Sequence, residues 1–205
     1  MPDTRPRVEG DREAEIFDAT VELLASAGYD RLTMDAVAAA AKASKATLYR
    51  RWASKAELVM EAIVRVHEPH TELVAPRTGS LRGDLLEAAC CKGGLADDKP
   101  LGVMAAVLTA LHRDEEFAEA FQQRFLNPRI AVLRSIYEDA RRRGEIRADV
   151  DLDLLTSLLP AIIVHRSFVL RKPVDEQMVA KIIDEIVIPA ATRRPPTRPR
   201  RKKRA

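Results

Sequence analysis

Three side chains suited to begin helices, Thr33, Ser44 and Ser54, stand ten or eleven positions apart in this 205-residue chain. Apolar residues return at helical spacing after each: Met34, Val37, Ala38 and Ala41 behind the first, Leu48 and Trp52 behind the second. A hydroxyl at the N-cap satisfies a backbone N–H that the first turn leaves free, so each cap marks a new helix. Ser54 also forms a capping box with Glu57, and the helix behind it runs to about His67, before Pro69. The two helices between Thr33 and Ser54 are therefore little more than two turns long, too short to persist alone. Their longer partner is a helix from Asp11 that presents Ile16, Ala19, Leu23, Leu24 and Ala27 on one face and stops at Gly28.

The remainder of the chain reads the same way. Beyond Pro76, Gly79 and Ser80, helical periodicity covers roughly 81–92, 100–112, 114–143, 151–171 and 175–190. Asp114, Asp151 and Asp175 look like starts, and Gly144 and Pro173 like stops. Pro128 and Pro160 fall inside two of these segments, and each removes a backbone hydrogen bond, so kinks are expected there. No alternating strand pattern competes. Aromatic residues are only 4% of the chain, so the core must come from Ala, Leu, Ile and Val, as packed helices allow. The expected fold is all-α with about nine helices. An arm (1–10) precedes an N-terminal helical domain (11–60), a C-terminal helical domain (61–192) and a basic tail (193–205), with arm and tail expected to be disordered.

Charge is distributed unevenly. The net +3 hides eight Lys/Arg in residues 193–205, so everything before them sums to −5. Within 1–65 the sum is −1, yet Lys42 to Lys55 contains five Lys/Arg and no acid. That local stripe is the footprint of a surface that meets phosphates. The chain start has no apolar run typical of a secretory signal. The uncharged run Leu154–Val164 is about half the ~20 residues of a membrane helix. Adjacent Cys90 and Cys91 offer no disulfide framework, and a cytoplasmic protein without membrane contact is expected. No Gly-rich phosphate loop, G-x-S-x-G or H-E-x-x-H occurs, which argues against an enzyme; no catalytic residue, cofactor or metal is assigned. His67 and His70 stand at metal-ligand spacing, but with Pro69 between them and no further ligand they read as a helix end.

Short helix, tight turn and short helix form a helix-turn-helix, whose second helix enters the major groove. Projected at 100° per residue, that helix buries Leu48 and Trp52, turns Ala46 and Arg50 outward, and carries Thr47, Tyr49 and Arg51 on its flanks. With Gly28-Tyr29, Thr33, Ser44, Thr47-Leu48-Tyr49, Trp52 and Ser54-Lys55-x-Glu57-Leu58, residues 12–60 resemble the DNA-binding domain of the TetR family of transcriptional regulators. Residues 61–190 are similar to that family only in their run of helices. One departure stands out: family members usually have Gly at the turn, where this chain has Lys42. A left-handed Lys there costs on the order of 1 kcal/mol, tolerated if its ammonium lies beside a phosphate.

Geometry and resemblance together assign Lys45, Ala46, Thr47 and Arg50 to base edges, with Ala46 near a thymine methyl. Thr33, Lys42, Tyr49, Arg51 and Lys55 are assigned to phosphates. One such head reads too few base pairs, so a homodimer on a palindromic operator is expected. The broad stripes Leu155, Leu159, Ile162, Ile163 and Val179, Ile182, Ile183, Ile186 are its candidate interface. The resemblance further implies a small effector, of the kind an apolar pocket takes, in the middle helices. Candidate lining residues are Cys90, Met104, Leu108, His112, Phe117, Phe121, Phe125, Tyr137 and His165. The function implied is a repressor released from DNA by that effector. The alternative is a ligand-independent or architectural regulator whose C-terminal domain only dimerises.

Overall fold

The computed structural model describes residues 9–67, 73–90 and 101–193, and among them there is no strand. The first domain comprises α1 (Glu9–Ala27), α2 (Met34–Ala40), α3 (Lys45–Arg51) and α4 (Lys55–His67). The second holds α5 (Leu81–Cys90), α6 (Leu101–Arg113), α7 (Glu115–Phe121), α8 (Asn127–Arg142), α9 (Leu152–Val164), α10 (Glu176–Ile182) and α11 (Ile188–Thr192). Wide π turns at Gln122–Leu126 and Ile183–Val187 join α7 to α8 and α10 to α11, and a third, His165–Val169, extends α9. The nine described rods are the helices expected from sequence. The first begins at Glu9 rather than Asp11, so residues 9 and 10 belong to it and not to the arm. Residues 1–8, Cys91, His70 and the tail beyond Arg193 lie outside the described residues, as does the side chain of His67.

Cap chemistry sets the boundaries. Thr33, Ser44, Asp114 and Asp175 each accept from the backbone N–H three residues on, and Asp151 accepts from those of Asp153 and Leu154. Ser54 accepts from the Glu57 N–H at 3.1 Å, while the Glu57 carboxylate takes the N–H of Ala53 at 2.7 Å. The π turns before Pro128 and Pro189 share one cause. A proline ring crowds the carbonyl four residues earlier, and an extra residue in the preceding turn makes room. Pro160, by contrast, sits within α9 without interrupting it.

Two apolar clusters result. The first joins α1–α4 to one side of α6 and α7, with Ile16, Leu48, Trp52, Met60, Phe117 and Phe121 among its members. Within it α1 and α6 lie close together at Gly102, where an added Cβ would stand 2.7 Å from the Ala25 carbonyl. The second cluster is built from α5, α8, α9, α10 and the turn after it, around Leu85, Ile136, Tyr137, Leu159, Val179 and Ile183.

This division corrects two sets of expectations. Leu155, Leu159, Ile163, Val179, Ile182 and Ile183 are buried within the subunit, because α9 packs on α8 and α10, while α10 and the turn after it pack on α5 and α9. They belong to the core of the subunit; Ile162 is half-buried, and Ile186 remains open at 42% exposure. Leu154, 71% exposed, and Val169 are large apolar residues that α9 and its extension leave in the open. The 18 residues Leu152–Val169 are long and apolar enough, by length and composition alone, to cross a membrane, a longer span than Leu154–Val164 suggested.

The expected effector residues are divided between the two clusters and the surface. Met104, Phe117, Phe121 and Phe125 pack in the first cluster, Cys90 and Tyr137 in the second, and Leu108, His112 and His165 are exposed. Helical spacing put the three Phe residues on one face, and that face turned toward α4 as ordinary core.

Candidate nucleic-acid interface

The turn between α2 and α3 begins with Lys42 at φ +52°, in the left-handed region. Its N–H donates to the Ala39 carbonyl and the next N–H, on Ala43, reaches back to Ala38 at 2.8 Å. That pair of bonds is the Schellman closure of α2. Gly144 closes α8 with the same two bonds, from Gly144 to Arg141 and from Glu145 to Ala140, at φ +76°. Lysine thus occupies a position where the chain elsewhere uses glycine. A guanidinium N–H of Arg12, on α1, donates to the Lys42 carbonyl and holds the turn from outside. The Lys42 side chain is exposed.

From that turn α3 projects with Leu48 and Trp52 fully buried. Phe17 meets the indole edge-on at 5.7 Å between ring centroids. Lys45, Ala46, Tyr49 and Arg50 are exposed, and Thr47 is half-buried. Arg50 makes no hydrogen bond or ion pair with any described residue, so its guanidinium is free for a ligand. Lys45 is 2.5 Å from the Asp35 carboxylate of α2, an exposed pair that water and a competing anion can open. The Ser44 and Thr47 hydroxyls share a hydrogen bond of 2.8 Å at the helix start. Thr33 uses its oxygen as acceptor for the Ala36 N–H, which leaves its own O–H to donate outward.

Two of the cations assigned to phosphates have partners within the protein, Arg51 on an exposed face and Lys55 half-buried. Arg51 donates through Nε to Glu13 at 3.1 Å and through Nη2 to Glu61 at 3.3 Å. Lys55 donates to the Tyr29 carbonyl at 3.1 Å and lies 4.0 Å over that residue's ring. Sequence reasoning missed these partners, since a basic residue flanking a recognition helix reads the same whether a phosphate or a carboxylate awaits it.

Tyr29 also links the domains. Its hydroxyl donates to Asp114 at 2.7 Å, and its ring lies 4.9 Å from that of Phe117. Burial and the Asp114 carboxylate push the phenol well above its ordinary pKa. Asp114 is held below the ordinary range by the Phe117 N–H first, with the Tyr29 hydroxyl and the Lys55 charge adding to it. Arg113 pairs with Asp30 at 2.7 Å, and Ser54 donates to Glu116 at 2.7 Å. The end of α6 and the start of α7 therefore grip both the α1–α2 loop and the start of α4.

Comparison with known proteins agrees with this geometry. The profile described as "Bacterial regulatory proteins, tetR family" matches residues 16–62. A second, "Tetracyclin repressor-like, C-terminal domain", matches residues 75–186. An uncharacterized HTH-type transcriptional regulator of Mycobacterium tuberculosis (strain ATCC 25618 / H37Rv) is 39% identical over 193 residues, 93% of each chain. The DNA-binding transcriptional repressor TetR of Mycobacteroides abscessus is 31% identical over 177 residues, 86% of this chain and 92% of that one. Among solved structures, the crystal structure of a TetR family transcription regulator is similar with a TM-score of 0.58 and 29% identity, covering 86% of this chain and 97% of that one. The chain therefore belongs to the TetR family of bacterial transcriptional regulators, and is a DNA-binding regulator of transcription rather than an enzyme.

Proposed function

We propose that the protein is a cytoplasmic, homodimeric repressor that binds a palindromic operator and leaves it when a small apolar effector binds the C-terminal domain. The observation that carries the DNA reading is the polarity of α3: Leu48 and Trp52 face inward while Arg50 stands free on the open side. In this reading Arg50 and Lys45 donate to base edges, Ala46 and the Thr47 methyl meet the groove floor, and Thr33, Lys42 and Tyr49 hold phosphates. Arg51 and Lys55 are assigned instead to contacts within the protein, with the Glu13 and Glu61 carboxylates and the Tyr29 carbonyl. Repression follows the 31% identical relative, which bears that name.

The dimer joins the faces that α9 and the α10–α11 rod leave open, around Leu154, Leu158, Ile162 and Ile186, as a four-helix arrangement. For the effector, the supporting observation is Tyr137. Its hydroxyl is buried in the second cluster with no hydrogen-bond partner among the described residues. Such a group loses its hydration without compensation, and an acceptor on an apolar molecule would restore it. Movement of α6 and α7 then reaches the heads through Tyr29–Asp114, Asp30–Arg113 and Ser54–Glu116. An effector acts only by its difference in affinity between two states, typically 1–3 kcal/mol of coupling.

Selecting duplexes from a random pool with the full chain, then repeating the selection with a metabolite library present, tests both parts. A single enriched palindrome that is lost with one compound is the expected result. Enrichment indifferent to every compound favours the ligand-independent regulator, a reading supported by the tight packing of Phe117, Phe121 and Phe125.

A further inference from the structure

The last residue of α3 and the one after it are tied to two other helices by a single network. The Trp52 indole N–H donates to Oε2 of Glu61, on α4, at 2.8 Å. The other oxygen of that carboxylate accepts from Nη2 of Arg51 at 3.3 Å. The Arg51 Nε donates to Glu13, on α1, at 3.1 Å, and its guanidinium lies 5.9 Å from the centre of the Trp52 ring. A seven-residue helix anchored by Leu48 and Trp52 alone can roll about its axis, since apolar contacts are not directional. Directional charge-assisted bonds to two carboxylates at its end remove that freedom. Their presence is otherwise unfavourable, because acids beside a surface that meets a polyanion weaken its approach.

We propose that Glu61 and Glu13 are positioning residues for DNA reading: through Arg51 and Trp52 they set the rotation of α3, so that Arg51 serves operator selectivity without contacting DNA. Because Glu61 belongs to α4, the helix that leads to the C-terminal domain, the setting of α3 follows that of α4. The inference rests on the reading that α3 faces the groove.

The test uses the full chain, the duplex it selects from a random pool, and a scrambled duplex of equal length, each titrated over a salt series. Arg51→Ala should lower the preference for the selected duplex roughly tenfold and leave the salt slope unchanged. Glu61→Gln keeps an acceptor for the indole but leaves Arg51 with Glu13 alone, an exposed pair that a phosphate can open. It should lower the preference similarly while tightening scrambled binding and steepening the slope by about 0.9, one extra phosphate contact. Glu13→Gln repeats the experiment from α1, should Glu61→Gln melt below the assay temperature. An Arg51→Ala protein with an undiminished preference overturns the proposal, most directly if its slope drops by about 0.9, which makes Arg51 a phosphate ligand. Arg50→Ala is the control for the underlying reading. If it leaves the preference intact, α3 is not the reading helix; if it abolishes the preference and Arg51→Ala does not, only the positioning role fails.

Discussion

The Tyr29 hydroxyl and the Asp114 carboxylate, 85 residues apart in the chain, meet at 2.7 Å and join the DNA-binding head to α7 of the second domain. Asp114 does two things at once, since its other oxygen caps α7 by accepting the Phe117 N–H at 3.0 Å. The joint is thus made of the same group that starts the helix, and α7 cannot shift without straining it.

Acid should weaken this joint. The folded protein holds Asp114 below the ordinary carboxylate range, so the unfolded chain binds that proton more readily. The contribution is complete above the ordinary Asp range and is lost as pH falls through it toward the depressed folded value. Asp184, lowered by Arg82, acts in the same direction. Thermal melts between pH 6 and roughly pH 3 should therefore show falling stability. Asp114→Asn, which keeps a good N-cap, should flatten part of that slope, while Tyr29→Phe should lose about 1 kcal/mol at neutral pH.

Arg50→Ala should reduce operator affinity by roughly 1–3 kcal/mol and relax preference at one base pair. Titrating a set of operators altered one base pair at a time reads this out. Equal weakening on every sequence would make Arg50 a phosphate ligand.

Lys42→Gly should stabilise the protein by about 1 kcal/mol, since the position is left-handed and Gly carries no Cβ there. The same variant should flatten the salt dependence of DNA binding by about 0.9 in slope if the ammonium neutralises a phosphate. Chemical denaturation and a salt series separate the two effects.

Placing a charge on the open face of α9 should separate the subunits. Leu154→Glu is expected to weaken self-association by roughly tenfold or more, because a buried unpaired carboxylate would replace an apolar contact. Sedimentation velocity at micromolar concentration measures it. An unaltered dimer moves the interface off this face.

Tyr137→Phe removes the unpartnered hydroxyl and should leave stability unchanged or raise it by about 1 kcal/mol. It should also blunt release from DNA by whichever compound the selection identifies. A full response in this variant would remove Tyr137 from the effector site.

What could be read directly from the sequence was what the chain does within a few residues of itself. Thr33, Ser44, Asp114, Asp151 and Asp175 act on N–H groups two or three positions away, and Gly28 and Gly144 sit at positive φ where helices stop, so short-range chemistry marked the helix boundaries. The buried side of α3 was legible for the same reason, because a helix repeats on itself every 3.6 residues. The tertiary structure alone decided which neighbour each face meets. An apolar stripe states that it must be covered, but nothing in its spacing distinguishes cover by the same subunit from cover by another, and so Leu159 and Val179 turned out to be core. Arg51 and Lys55 were ambiguous in the same way: a cation's sequence context records its charge, whereas the carboxylates of Glu13 and Glu61 and the carbonyl of Tyr29 arrive from other helices only when the chain has folded.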